Sequence, residues 1–150
     1  MTLLHAQRHA TAIGEHGEAD YPHEACGLMG GTVDGDRTVV TQLVPLANQR
    51  TDSARNRYLI DPDAFRRAQG ELDAAGLEVV GIYHSHPDHP AEPSTFDHEH
   101  AWPRLSYVIV AVAAGRAAEL RSWRLSDDRA AFEEEPITLE QRKVAWPSPS

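Results

Sequence analysis

The chain of 150 residues has one cysteine, Cys26. A disulfide within the chain needs two and a four-thiolate zinc site needs four, so both are excluded. Long apolar runs are also missing, and no stretch approaches the roughly 20 residues that cross a bilayer. Residues 1–8 hold no apolar run of the kind a secretory leader needs. The expected address is therefore the cytoplasm, with no membrane partner. Positive charge is scarce: 14 Lys+Arg against 23 Asp+Glu leave a formal net charge of −9. A nucleic-acid binder presents a basic face, so nucleic acid is not an expected partner. The glycines at Gly27, Gly30 and Gly31 lack the spacing of a phosphate-binding loop. No repeat and no linker divides the chain, and its length suits one domain with a real core. We expect that domain over 1–140 and a disordered tail over 141–150.

Periodicity gives the elements. Leu3, Leu4, Ala6, Ala10 and Ile13 fall near helical spacing, which predicts a helix over 3–19 that ends near Gly14 or Gly17. Residues 25–31 predict a short buried strand that runs into a glycine turn. Asp34, Gly35 and Asp36 mark a hairpin turn before a strand over 38–46. Residues 47–57 are polar and predict a loop, followed by a brief strand over 58–60. Asp61 and Pro62 then open a helix, Asp as cap and Pro at the first helical position. Its buried stripe is Phe65, Ala68, Leu72 and Ala75, and Gly76 stops it. Strands follow over 77–83, 106–112 and 118–125, with a weaker last strand over 131–139. A short helix capped by Ser94 lies between the first two. Trp102 and Trp123 read as core or edge packing. The order α-β-β-β-α-β-α-β-β-β predicts an α/β (α+β) fold, a mixed sheet with helices packed on its faces.

The chemistry gathers after the strand over 77–83. His84 and His86 stand two residues apart at its end, so their side chains share one face. In a chain with 9 histidines such a pair is weak evidence by itself. The rigid strand, the proline-rich loop behind it and the short helix carrying Asp97 strengthen it. Two imidazoles and one carboxylate hold zinc and leave a position for water. Hydrolysis also needs a base, and the sequence offers Asp88, Glu92, Glu99 and the distant Glu24. Sequence physics does not choose among them.

Glu24, then His84, Ser85 and His86, seven residues, Ser94, two more and Asp97 match the signature of the JAMM (MPN+) metallopeptidase family. Residues 22–28 and 56–62 also resemble that family, and the resemblance covers about 1–138. It implies an α/β sandwich similar to cytidine deaminase. It implies one catalytic zinc on His84, His86 and Asp97, Glu24 as general base, and Ser94 as the donor that steadies an oxyanion. Ser85 should face away from the metal. The family implies a zinc-dependent (iso)peptidase that cuts after the C-terminal Gly-Gly of a ubiquitin-like protein. The short form here resembles the bacterial branch, whose substrate is a sulfur carrier bearing cysteine or a short extension. Such a tail could pair with an exposed sheet edge. Arg50, Arg55 and Arg57 are candidates to line the substrate loop. Cys26 reads as a small core residue, with regulation of the zinc site as the other reading.

Two competing functions differ in class. A silent scaffold of the same fold would bind a ubiquitin-fold protein without cutting it, and such relatives lack one or more ligands. A nucleobase deaminase needs His-x-Glu and a Cys-x-x-Cys pair, which one cysteine cannot supply. Oligomeric state leaves no signature in the sequence.

Overall fold

The structure is a computed structural model that describes residues 1–48 and 60–139. The order of elements is β1 (Thr2–His5), α1 (Gln7–Asp20), β2 (Cys26–Asp34), β3 (Arg37–Leu46), α2 (Pro62–Ala74), β4 (Glu78–Pro87), α3 (Thr95–His100), β5 (Ser106–Ala113), β6 (Arg116–Leu125), β7 (Phe132–Glu135) and β8 (Ile137–Leu139). The strands form one mixed sheet in the order β7-β6-β5-β4-β2-β3-β1-β8. β4 runs parallel to β5, and β1 runs parallel to β3 and β8; the other neighbours are antiparallel. This is the mixed sheet with helices on its faces that the sequence predicts.

β7 ends at Glu135 and β8 begins at Ile137, yet they stand at opposite ends of the strand order. Two residues reach at most about 7 Å. The sheet therefore curls until its ends nearly meet at Pro136, whose carbonyl accepts a bond from the Leu3 amide at 2.9 Å. Proline has no N–H to continue a ladder, and it splits the single strand expected over 131–139 into two.

Each face of the sheet carries a core. On one, Ile13 of α1 packs with Leu3, Met29, Val40, Tyr83, Val108 and Val110. On the other, Ala68 and Leu72 of α2 pack with Leu28, Ile82, Tyr107 and Leu125. The alternation of Ile82 and Tyr83 between the two cores fixes where the next residues of β4 point. His84 and His86 share the face of Ile82, while Ser85 shares the face of Tyr83 and α1.

Four expectations are corrected. The first helix does not begin at residue 3: residues 2–5 are β1, with Leu3 and His5 buried and their neighbours half-buried. Four residues of alternation ran into the helical pattern, and the partners that decide the matter, β3 and β8, are distant in sequence. Nor does α1 stop at a glycine. A Cβ at Gly17 would lie 3.0 Å from Val112 and 3.2 Å from Ser85, so this glycine lets the helix approach the sheet. Gly27, Gly30 and Gly31 likewise lie inside β2, which continues to Asp34. Ile60, the described end of the strand expected over 58–60, is not in a strand. The rest of that strand, Arg50, Arg55 and Arg57 and the tail over 141–150 lie outside the described residues.

The second helix starts and ends as predicted. Asp61 Oδ2 accepts from the Ala64 amide at 3.2 Å, and Gly76 follows it at φ +75. Among the described residues no helix is long and apolar enough to cross a membrane.

Candidate metal centre

β4 carries His84 and His86 to the rim of the sheet, both buried. α3 brings Asp97 against them. Ser94 caps that helix: its Oγ accepts the Asp97 amide at 3.1 Å, and Asp97 Oδ2 accepts the Ser94 amide at 2.8 Å. This reciprocal box fixes the carboxylate in the first turn. Ser94 Oγ acts there as an acceptor, so its hydroxyl proton remains for a group in the cleft.

Three donors converge. His84 Nε2 and His86 Nε2 lie 3.1 Å apart, Asp97 Oδ2 is 3.0 Å from His86 Nε2, and Asp97 Oδ1 is 3.3 Å from His84 Nε2. Two imidazole nitrogens at that distance share either a proton, one ring donating to the other, or a cation held between them. The His86 ring is oriented from behind, since its Nδ1–H donates to the Pro90 carbonyl at 2.8 Å. A carbonyl can only accept, so Nδ1 carries a proton and Nε2 is the nitrogen left to face the centre.

Glu24 reaches the same point from the segment before β2. Its Oε1 lies 3.9 Å from His86 Nε2. Glu24, His84 and His86 are arranged closely enough to hold a metal ion, with one donor atom of each within 4.8 Å of the others. The segment is pinned on both sides. Asn48 Nδ2 donates to the Glu24 carbonyl at 3.0 Å, and the Ala25 amide donates to Ser85 Oγ at 2.8 Å. Ser85 thus faces away from the centre, as its register requires, and still sets the position of Glu24. Asn48 had no legible role in the sequence; an amide side chain in a polar loop carries no pattern.

The two carboxyls differ in proton affinity. Burial, and then the charge of Asp97, push Glu24 up to about 9. Burial alone would raise Asp97 as well, but the imidazoles of His84 and His86 hold it well below the usual carboxylate range. Cys26 is fully buried behind Glu24, and burial, then Glu24 and Asp20, push its thiol up to about 12.

The other base candidates are occupied or remote. Asp88 accepts from the Tyr21 hydroxyl at 2.5 Å and the Ala114 amide at 2.8 Å. Glu92 pairs with Arg121 at 3.2 Å, and Glu99 is exposed. Among the described residues a cleft of about 300 Å³ opens on the centre, lined by Glu24, His86, His89, Glu92 and Ser94 with Pro87, Pro90 and Pro93. His89 therefore faces the cleft. His98 and His100 bond to the carbonyls of Arg129 and Phe96. Trp102 is not core: it is 67% exposed. Trp123 is edge packing, and its indole N–H holds the Ala91 carbonyl at 2.9 Å.

Residues 6–126 match the family described as prokaryotic homologs of the JAB domain. A desampylase of Haloferax volcanii is 36% identical over 96 residues, which span 63% of this chain and 67% of that protein. A CysO-cysteine peptidase of Mycobacterium tuberculosis is 32% identical over 129 residues, 85% of this chain and 84% of the relative. The solution structure of protein DSY2949 from Desulfitobacterium hafniense superposes with a TM-score of 0.80 at 30% identity, covering 93% of both chains.

Proposed function

This chain belongs to the family of prokaryotic JAB-domain homologs, and on that premise we propose a zinc-dependent peptidase that hydrolyses the (iso)peptide bond after the C-terminal Gly-Gly of a ubiquitin-like protein of the sulfur-carrier kind. The relatives point the same way, since a desampylase and a CysO-cysteine peptidase are among them. The cytoplasm, which holds such carriers, is the proposed compartment.

The observation that carries the reading is the spacing of donors. Four ligands about a zinc ion at 2.0–2.1 Å stand about 3.3 Å apart. His84 and His86 present Nε2 atoms 3.1 Å apart, and Asp97 turns one oxygen to each, Oδ2 at 3.0 Å from His86 and Oδ1 at 3.3 Å from His84, close to that edge. Glu24, at 3.9 Å from His86, stands back from it. We therefore assign His84, His86 and Asp97 as the ligands of one zinc and Glu24 as the base. A divalent cation held there supplies Lewis acidity, lowers the pKa of a bound water to about 7 and draws Glu24 toward its ionised form.

The remaining work falls to the chain. Glu24, buried and anionic, takes the proton of the attacking water and delivers it to the leaving amine. The carbonyl carbon gains the hydroxyl, the C–N bond breaks, and the amine gains the proton. Ser94 directs its hydroxyl proton at the developing oxyanion. Asp97 stays ionised throughout, as its depressed proton affinity requires.

The test is intact-mass spectrometry of the zinc-loaded protein with a ubiquitin-fold carrier that bears an extension after Gly-Gly. Loss of the extension alone, abolished by a chelator and by Glu24→Gln, is the expected result. An uncut carrier that is nonetheless bound would replace this reading with the silent scaffold.

A further inference from the structure

We propose that Asp88 is a positioning residue for the reaction: its carboxylate, through the Tyr21 hydroxyl, sets where Glu24 stands relative to His86. The inference rests on the peptidase reading above and concerns how the base of that reading is aimed.

No hydrogen bond steers the Glu24 carboxylate itself. Oε1 has His86 Nε2 at 3.9 Å, beyond hydrogen-bond reach, and Oε2 is buried without a hydrogen bond among the described residues. Its aim is therefore set by the backbone that carries it and by packing. The bonds to Asn48 and Ser85 hold that backbone on the C-terminal side, at the Glu24 carbonyl and the Ala25 amide. On the N-terminal side the chain leaves α1 in a turn, closed by a bond from the His23 amide to the Asp20 carbonyl at 2.8 Å. Tyr21 lies inside that turn, three residues before Glu24. Its hydroxyl donates to Asp88 Oδ2 at 2.5 Å. A bond that short between a hydroxyl and a carboxylate is of the charge-assisted kind.

Asp88 is anchored on the metal side, two residues after His86. Its amide donates to the Val112 carbonyl at 2.8 Å, and its Oδ1 accepts the Ala114 amide at 2.8 Å. Backbone and side chain are thus both seated on the end of β5 and the turn that follows it. The φ of Asp88 is +58, in the left-handed region that glycine enters freely and aspartate or asparagine more readily than other side chains. A glycine there would bring no carboxylate to join Tyr21 to the β5–β6 turn, and that junction is what the side chain supplies. One connection then runs from ligand to base through His86, Asp88, Tyr21 and Glu24. Misplacing a reacting group by about 1 Å costs on the order of 100-fold in rate, so loosening this connection reads in kcat.

The experiment measures kcat, KM and zinc affinity on a ubiquitin-fold carrier with an extension after Gly-Gly. Tyr21→Phe removes the bond and keeps the ring. Its kcat should fall about tenfold, while KM and zinc affinity stay within about twofold of wild type. Asp88→Ala also loses the Ala114 bond and puts alanine at φ +58, so its kcat should fall by about 100-fold. Asp88→Asn keeps the backbone tolerance, an acceptor for Ala114 and a donor for the Tyr21 oxygen, and should recover to within about threefold of wild type. The double variant Tyr21→Phe with Asp88→Ala should lose no more than Asp88→Ala alone, because both act through one bond. An unchanged kcat in Tyr21→Phe, a loss carried by KM or by zinc affinity, or a double variant down by the full product of about 1000-fold would overturn the assignment and leave the peptidase reading standing. A zinc-loaded wild type that cuts no carrier would overturn both.

Discussion

The two carboxylates at the centre come from different regions and are built for opposite states. Asp97 sits in the first turn of α3, where a backbone amide and two imidazoles favour its charge. Glu24 precedes β2, with Oε1 facing His86 at 3.9 Å and Oε2 buried without a hydrogen bond among the described residues. One environment holds an anion; the other raises proton affinity. In the proposed mechanism these two acids, whose surroundings push them apart, divide the labour of ligand and base. Identity of residue type does not make that division, since either carboxylate can bind zinc in principle.

The division can be broken in graded steps. Asp97→Ala should do most: metal affinity falls more than about 100-fold, measured by chelator competition, and hydrolysis is lost with it. The same change removes one half of the capping box, about 1 kcal/mol of stability seen in a lower Tm. Glu24→Gln should lower kcat by about 10²–10⁴ while the metal stays. Ser94→Ala should cost about 100-fold in kcat if its hydroxyl serves the oxyanion, with a loss of about 1 kcal/mol in a thermal melt from the lost cap.

Stability against pH sharpens the contrast in the metal-free protein. Glu24 binds its proton more tightly folded than unfolded. Its contribution is full below 4.5 and is lost as pH rises toward about 9. Asp97 has the opposite sign: its contribution is present above 3.8 and is lost as pH falls below that value. Melts in chelator at pH 5 and 8.5 should show wild type losing stability across the interval and Glu24→Gln losing less. The smallest effect concerns Cys26. With its thiol buried and pushed up to about 12, an alkylating agent should leave the native protein unlabelled over hours, as mass spectrometry would show. Rapid labelling would revive a regulatory thiol.

The local features were legible in the sequence because local physics sets them. Asp61, Pro62 and Gly76 bound α2, and the His84–His86 spacing places both rings on one face. Ser94 and Asp97, three residues apart, were legible as a cap and a carboxylate in one first turn. What was hidden depends on distant partners. β1 is a strand because β3 and β8 flank it, and position 17 inside α1 is a glycine because the sheet approaches it. Pro136 divides one apparent strand between the two ends of a curled sheet. At the site, the pinning of Glu24 by Asn48 and Ser85 spans separations of 24 and 60 residues, measured to Glu24 and to Ala25. Spacing along the chain could not choose among four possible bases; only the fold brings Glu24 to the histidines and ties Asp88 and Glu92 elsewhere.

The division of labour is tested most directly by titrating zinc into Glu24→Gln and Asp97→Ala side by side with wild type. The account predicts one zinc per chain at near wild-type affinity for Glu24→Gln, with no turnover, and a much weakened site for Asp97→Ala. Loss of zinc from Glu24→Gln, with retention by Asp97→Ala, would make Glu24 the ligand and contradict it.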